Sequence, residues 1–288
     1  MSHTAVITNA GISMPRLIYG TAWKKEATTQ LVIRAVLNGF QGIDTACQPK
    51  HYREDLVGQA LVELQQKHNI SRRDLFIQTK FTSINGQDQS KPLPYDPRMP
   101  LNEQVRQSFA TSLQNLQLDY IDSLVVHGPE RTHELTMKVY RECEKLVDEG
   151  RVKQLGISNL YDLNDLRRLY DDARHKPSVI QNRFYAETNY DHEIRQYCRE
   201  KNIFYQSFWT LTANPHILQH SIVKKLAQEH HATPAQIFFR FLIDIGLTPL
   251  TGTTDEKHMK EDLEVLHWPS LDHESVAKLK KFIHDEII

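Results

Sequence analysis

The chain predicts a (β/α)8 TIM barrel, because eight short apolar runs of strand character alternate with helical patterns along its length. Its 288 residues, 40% of them hydrophobic, suffice for one large core. No shift in composition marks a second domain, so residues 1–288 are read as a single barrel domain. No GxGxxG follows an early strand, which disfavours the alternative of a doubly wound open sheet with a Rossmann nucleotide site.

The elements follow in order. An N-terminal segment has the makings of a small β-hairpin. Residues 17–20 read as the first barrel strand. Residues 28–37 form a helix with Leu31, Val32, Ala35 and Val36 on one face. The second strand spans 42–46, and the helix 54–68 carries Leu56, Val57, Ala60, Leu61 and Leu64 as its stripe. The third strand spans 75–80. A polar, proline-bearing loop, 82–100, then precedes the helix 101–116, and loops of such length are commonly functional. Strand four is 123–127 with the helix 134–148. Strand five is 154–159 with the helix 163–173. Strand six is 179–181 with the helix 191–201. Strand seven, 203–209, leads into helical runs 217–230 and 234–245. The second of these opens on Thr233 as N-cap and Pro234 at the first helical position. Strand eight is 248–251, followed by the helix 255–263. A further helix, 272–283, is appended at the C-terminal end.

Composition excludes several classes. The formal net charge is −1, with acids and bases interleaved and no Lys/Arg-rich run, so neither nucleic acid nor an anionic membrane is an expected partner. No apolar stretch is long enough to span a bilayer, and the N-terminus lacks a charged-then-apolar signal pattern. Cys47, Cys143 and Cys198 are dispersed and odd in number, which argues against a disulfide framework and for a reducing cytoplasm. Cys47 is read as a packing thiol rather than a redox-sensitive one. Among fifteen histidines, only His216 and His220 have helical metal-pair spacing, and no third ligand is set beside them, so no metal is expected.

In such a barrel the chemistry lies at the C-terminal ends of the strands. There the apolar runs end on Asp44, Lys80, His127, Ser158 with Asn159, and Gln181. An acid and a lysine in a low-dielectric mouth form an ion pair. A tyrosine beside that lysine, Tyr52, is expected to have its ionised form favoured. Moving its pKa from about 10 to about 7 needs roughly 4 kcal/mol. A nearby histidine can orient a carbonyl oxygen. Taken singly, each residue has a plain structural explanation: a rim ion pair, a buried histidine, a loop aromatic, a helix cap, a buried amide. The constellation carries the claim. No activated Ser or Cys nucleophile is evident, so hydride addition to a carbonyl fits better than acyl transfer, and the hydride must come from a cofactor. After strand eight, Thr251-Gly252-Thr253-Thr254-Asp255 opens a helix and reads as a candidate phosphate site, although capping selects the same residues. Phe208 and Trp209 either stack on an aromatic ligand or fill the barrel rim.

The segment GFQGIDTACQPKHYREDLVGQAL resembles the signature of the aldo-keto reductases. LFIQTK, DYIDSLVVHGPE, GRVKQLGISN and TPAQIFFRFLIDIGLTPLTG resemble its later blocks, in order and over nearly the whole chain. The resemblance implies a (β/α)8 barrel that binds NADPH, less often NADH, without a Rossmann domain, and reduces aldehydes and ketones to alcohols. It implies Asp44, Tyr52, Lys80 and His127 as the catalytic group. Ser158, Asn159 and Gln181 match positions that hold the nicotinamide carboxamide, and Phe208 a position that stacks on its ring. Gly252, Thr253, Thr254, His258, Glu261 and Asp262 match the block for the adenosine end. Thr21 and Trp23 match a mouth-lining pair, Thr21 on the cofactor side and Trp23, with His51 and His127, on the substrate side.

Three departures from the family pattern stand out. The usual register, three residues before Glu54, places His51 where the proton donor is expected, with Tyr52 one residue later. Tyr52 is favoured because an imidazole needs no lysine to lower its pKa. Gly252 and His258 replace a Lys and an Arg that many members direct at the 2'-phosphate, although another branch also carries Gly. Trp209-Thr210-Leu211 replaces Ser-Pro-Leu. The expected partner is a small-molecule carbonyl substrate, with the chain a monomer or weak homo-oligomer. The alternative to a reductase is a nicotinamide-binding regulatory or interaction protein with little turnover.

Overall fold

The computed structural model describes residues 4–284. Eight parallel strands close into a barrel: β3 (Ile18–Gly20), β4 (Gly42–Asp44), β5 (Phe76–Phe81), β6 (Ile121–Val126), β7 (Val152–Ser158), β8 (Val179–Arg183), β9 (Phe204–Phe208) and β10 (Thr248–Thr251). They are preceded by an antiparallel hairpin of β1 (Ala5–Ile7) and β2 (Ser13–Pro15), paired Val6 to Met14. Every residue of β5 and β6 is buried, as expected for parallel strands covered on one face by helices and on the other by the packed lumen.

The helices form the outer ring. They are α1 (Thr28–Asn38), α2 (Glu54–His68), α3 (Leu101–Leu116), α4 (His133–Asp148), α5 (Leu163–Asp172) and α6 (His192–Glu200) in the first part of the chain. The rest are α7 (Pro215–Gln219), α8 (Ser221–Glu229), α9 (Pro234–Asp244), α10 (Glu256–Glu264) and the appended α11 (His273–Lys280). Local chemistry sets their ends. α1 stops at Gly39, whose φ of 117° lets its N–H reach back to the Ala35 and Val36 carbonyls. α9 starts on a reciprocal capping box between Thr233 and Gln236 with Pro234 behind it. The single helix expected over 217–230 is instead α7 and α8. His220 between them is extended, and its ring nitrogen accepts from the Ile222 N–H, so a cap interrupts the run. His216 meanwhile meets the Tyr190 hydroxyl at 3.1 Å.

The lumen is layered. At its foot Met14 from the hairpin packs with Ile18, Phe76, Val125, Val179 and Leu250. Strand alternation brings the next inward residues into a polar layer above it: Asp44 two residues after Gly42, Gln78 two after Phe76, Gln181 two after Val179 and Gln206 two after Phe204. The Gln206 amide spans the layers, its Nε2 lying 3.3 Å from Met14 Sδ. No helix among the described residues is long and apolar enough to cross a membrane.

Candidate active site

The polar layer is a hydrogen-bond network centred on Asp44. Lys80 Nζ donates to Asp44 Oδ2 at 2.6 Å and to the Thr45 carbonyl at 2.9 Å. Asp44 Oδ1 accepts from Gln78 Nε2 at 2.8 Å and from Gln181 Nε2 at 3.0 Å. Both amides also donate to Gln206 Oε1, at 2.7 and 2.8 Å. The Asp44 backbone is pinned from the side: its carbonyl accepts from both the N–H and the hydroxyl of Thr21. The pair is buried on both partners, 0% and 3% exposed at the side chains, so its charges are held by protein donors rather than water.

Tyr52 stands over this pair. Lys80 Nζ lies 5.1 Å from its ring centre, and the ring of His127 meets it edge-on at 6.0 Å. The Tyr52 hydroxyl makes no hydrogen bond among the described residues, and Tyr52 borders the main cavity. The lowered pKa expected for Tyr52 is not found. Burial, with the Asp44 charge adding to it, pushes the hydroxyl well above its ordinary value. The reason is that the Lys80 charge is already matched by Asp44, and burial lowers the Lys80 ammonium itself. Tyr52 therefore keeps its proton at neutral pH.

His127 Nδ1 contacts the Thr82 hydroxyl at 2.7 Å. Burial, then the neighbouring Lys80 and His51, drive its pKa down to about 3, so it is neutral at pH 7. His51 faces elsewhere: its ring lies 3.9 Å from the Trp23 indole, and its carbonyl accepts from the Trp23 N–H at 2.7 Å. Behind β5, Glu54 is buried at the start of α2, accepting from the Thr79 hydroxyl and from Asn115. Cys47 is buried nearby, its thiol pushed well above the usual range, chiefly by burial.

One cavity of about 1140 Å³ joins these groups to the far end of the barrel mouth. It is bordered by Asp44, Tyr52, His127 and His51 with Trp23, by Ser158, Asn159, Gln181 and Phe208, and by Gly252, Thr253, His258, Glu261 and Asp262. Three of the residues singled out in the sequence do not border it. Lys80 and Thr21 lie beneath, supporting Asp44, and Thr254 is exposed. The donor set at Gln181 suits a primary amide: with both N–H groups of Gln181 committed to Asp44 and Gln206, its carbonyl oxygen is the group left to accept. Ser158 donates to the Gln181 backbone carbonyl, and Asn159 to the His127 carbonyl at 2.7 Å. At the far end Asp262 accepts from Thr251, and burial raises its carboxyl to about 7.

Other residues of the site escaped the sequence reading. Lys24 and Arg183 both border the cavity. Arg183 lay just past the expected end of strand six, which in fact runs on to it as β8; period two from Gln181 was the signal available. Lys24 sits in a loop, where no period points inward.

The model of the aldo/keto reductase family matches residues 16–284. The chain belongs to the aldo/keto reductase family. Among its relatives, glyoxal reductase of Bacillus subtilis is 27% identical over 96% of this chain and 91% of its own. Methylglyoxal reductase DkgA of Yersinia pestis is 28% identical over 94% and 90%. Among solved structures, an aldo-keto reductase from a deep-sea metagenome library superposes with a TM-score of 0.82 at 26% identity, over 98% of this chain and 96% of that one. An aldo/keto reductase from Brucella melitensis gives the same TM-score at 25% identity. Membership in this family, on this fold, makes the chain an oxidoreductase acting on carbonyl compounds.

Proposed function

We propose that this aldo/keto reductase reduces aldehydes or ketones to alcohols with NADPH, or alternatively NADH, and that Tyr52 donates the proton. The observation that carries the reading is Tyr52 poised over the buried 2.6 Å Asp44–Lys80 pair, with an uncommitted hydroxyl on the cavity wall. A tyrosine that holds its proton firmly in the resting site still gives it to an alkoxide, a stronger base, and the Lys80 ammonium 5.1 Å from its ring is the cation beside the tyrosinate that forms. Neutral His127 presents one ring N–H. In the tautomer in which Nδ1 accepts from the Thr82 hydroxyl, Nε2 carries the hydrogen and can hold the carbonyl oxygen in line with Tyr52. His51, tilted against the Trp23 ring on the cavity wall, is placed to shape the substrate side.

The cofactor would supply the hydride. Ser158, Asn159 and Gln181 would hold its carboxamide and Phe208 its nicotinamide ring. Gly252, Thr253, Thr254, His258, Glu261 and Asp262 would hold its adenosine end. Thr21 would serve this site through Asp44. The relatives named for glyoxal and methylglyoxal make small dicarbonyls the first substrates to test.

The test follows NADPH oxidation with methylglyoxal. Tyr52→Phe should lower kcat by about 10²- to 10⁴-fold, the usual worth of a general acid, with the cofactor Kd unchanged. His51→Ala should mainly raise KM. Full activity in Tyr52→Phe with loss in His51→Ala would move the donor to His51. Cofactor binding without turnover of any carbonyl would favour a regulatory role.

A further inference from the structure

Arg183 ends β8 and faces the cavity two residues beyond Gln181, level with Phe208 across the β8–β9 pairing. Its guanidinium lies 4.2 Å from the Trp209 ring and 5.2 Å from the Tyr185 ring. Both rings lie within cation–π range of it. Its edges are unserved: Nε is buried with no hydrogen-bond partner, and the side chain makes no ion pair or hydrogen bond among the described residues. A guanidinium carries five N–H donors in a planar fork suited to oxyanions, and leaving them unpaired in a partly buried site is costly. Aromatic faces neutralise part of the charge but accept none of these hydrogens well. A cation so arranged, on the wall of a ligand cavity, is built for an anion that arrives with the ligand.

Its height on the strand identifies that anion. Two strand residues span about 6.6 Å, so Arg183 lies one nucleoside sugar further out than a carboxamide held at Gln181. Trp209, Leu211, Gly252 and Asp262 line the same cavity. We propose that Arg183 binds the diphosphate of the dinucleotide cofactor, with Trp209 and Tyr185 holding the guanidinium edge-on to it. The inference rests on the nicotinamide reading above.

The test is calorimetric titration of NADPH, NADH and inorganic pyrophosphate into the full chain, without turnover. Wild type should bind both dinucleotides, with affinity falling as salt rises. Arg183→Met should weaken NADPH and NADH alike, by about 10- to 100-fold, the range of a charge-assisted contact. It should also flatten the salt dependence and abolish any pyrophosphate binding, none of which a packing role would produce. Arg183→Lys, which keeps the charge and loses the fork, should fall between and retain the salt dependence. Dinucleotide affinity and salt dependence unchanged in Arg183→Met would overturn the proposal. So would a variant that binds cofactor normally but shows a raised KM for phosphorylated aldehydes and not for methylglyoxal, since the anion would then belong to the substrate. If wild type binds neither dinucleotide, the nicotinamide reading itself fails, a result separate from the others.

Discussion

At the scale of single residues, the ion pair of Asp44 and Lys80 sets the sharpest energetic condition. Each charge has left water, and the pair holds because Lys80 donates to Asp44 and to the Thr45 carbonyl while the second Asp44 oxygen accepts from two glutamine amides. Removing one partner is therefore worse than removing both. Lys80→Met should destabilise the fold by about 3–5 kcal/mol in urea unfolding, by leaving Asp44 buried without its cation. The double substitution Asp44→Asn with Lys80→Met should recover part of that loss. A double variant as unstable as the sum of the singles would show that the pair does not act as a unit. Asp44, Lys80, His127 and Gln181 were legible in the sequence because each breaks an apolar strand at its mouth. Gln78 and Gln206 were not, although they complete the same network: they sit mid-strand, where a polar residue in an apolar run has no visible partner until the barrel closes. The protonation of Tyr52 was misjudged for a related reason, since a nearby lysine lowers a pKa only if its charge is not already matched.

At the scale of elements, α2 and α3 show how the site is held from outside the barrel. Gly58 of α2 packs on the last turn of α3, where a Cβ would come within 2.0 Å of the Asn115 carbonyl oxygen. Alanine there gains about 1 kcal/mol of helix propensity but forces two backbones apart, and the clash should win. Gly58→Ala should cost about 3 kcal/mol net in urea unfolding. It should also lower kcat, because Asn115 and Thr79 both bond Glu54 and so tie this helix contact to β5 and Lys80. An unchanged midpoint would mean that the helices slide apart freely. Most elements were readable from period and punctuation; α2 and α3 fall on the expected residues because their stripes and end signals agree. The break between α7 and α8 was not readable. It depends on a histidine acting as a cap, a role that the residue type alone does not announce.

At the scale of the whole molecule, two buried groups pull the pH dependence of stability in opposite directions. His127, at about 3 when folded and near 6.5 when unfolded, leaves the unfolded chain binding more protons between those values. Its contribution is complete above about pH 6.5 and is lost as pH falls toward 3. Asp262, at about 7 when folded against 3.8 in the unfolded chain, makes the native protein bind more protons between them. Its contribution is complete below about pH 4 and is lost as pH rises toward 7. Tm measured from pH 4 to 8 should thus lose its alkaline-side decline in Asp262→Asn and its acid-side decline in His127→Gln. Parallel curves for variants and wild type would refute both assignments. The barrel itself has a further directional consequence, set by the hairpin whose Met14 stoppers its foot. Among the described residues, the apolar cluster around Met14 fills the foot of the lumen. Asp44 meets the cavity at the mouth where ligands enter, so a seated ligand also acts as the lid that isolates the Asp44–Lys80 charges from bulk water.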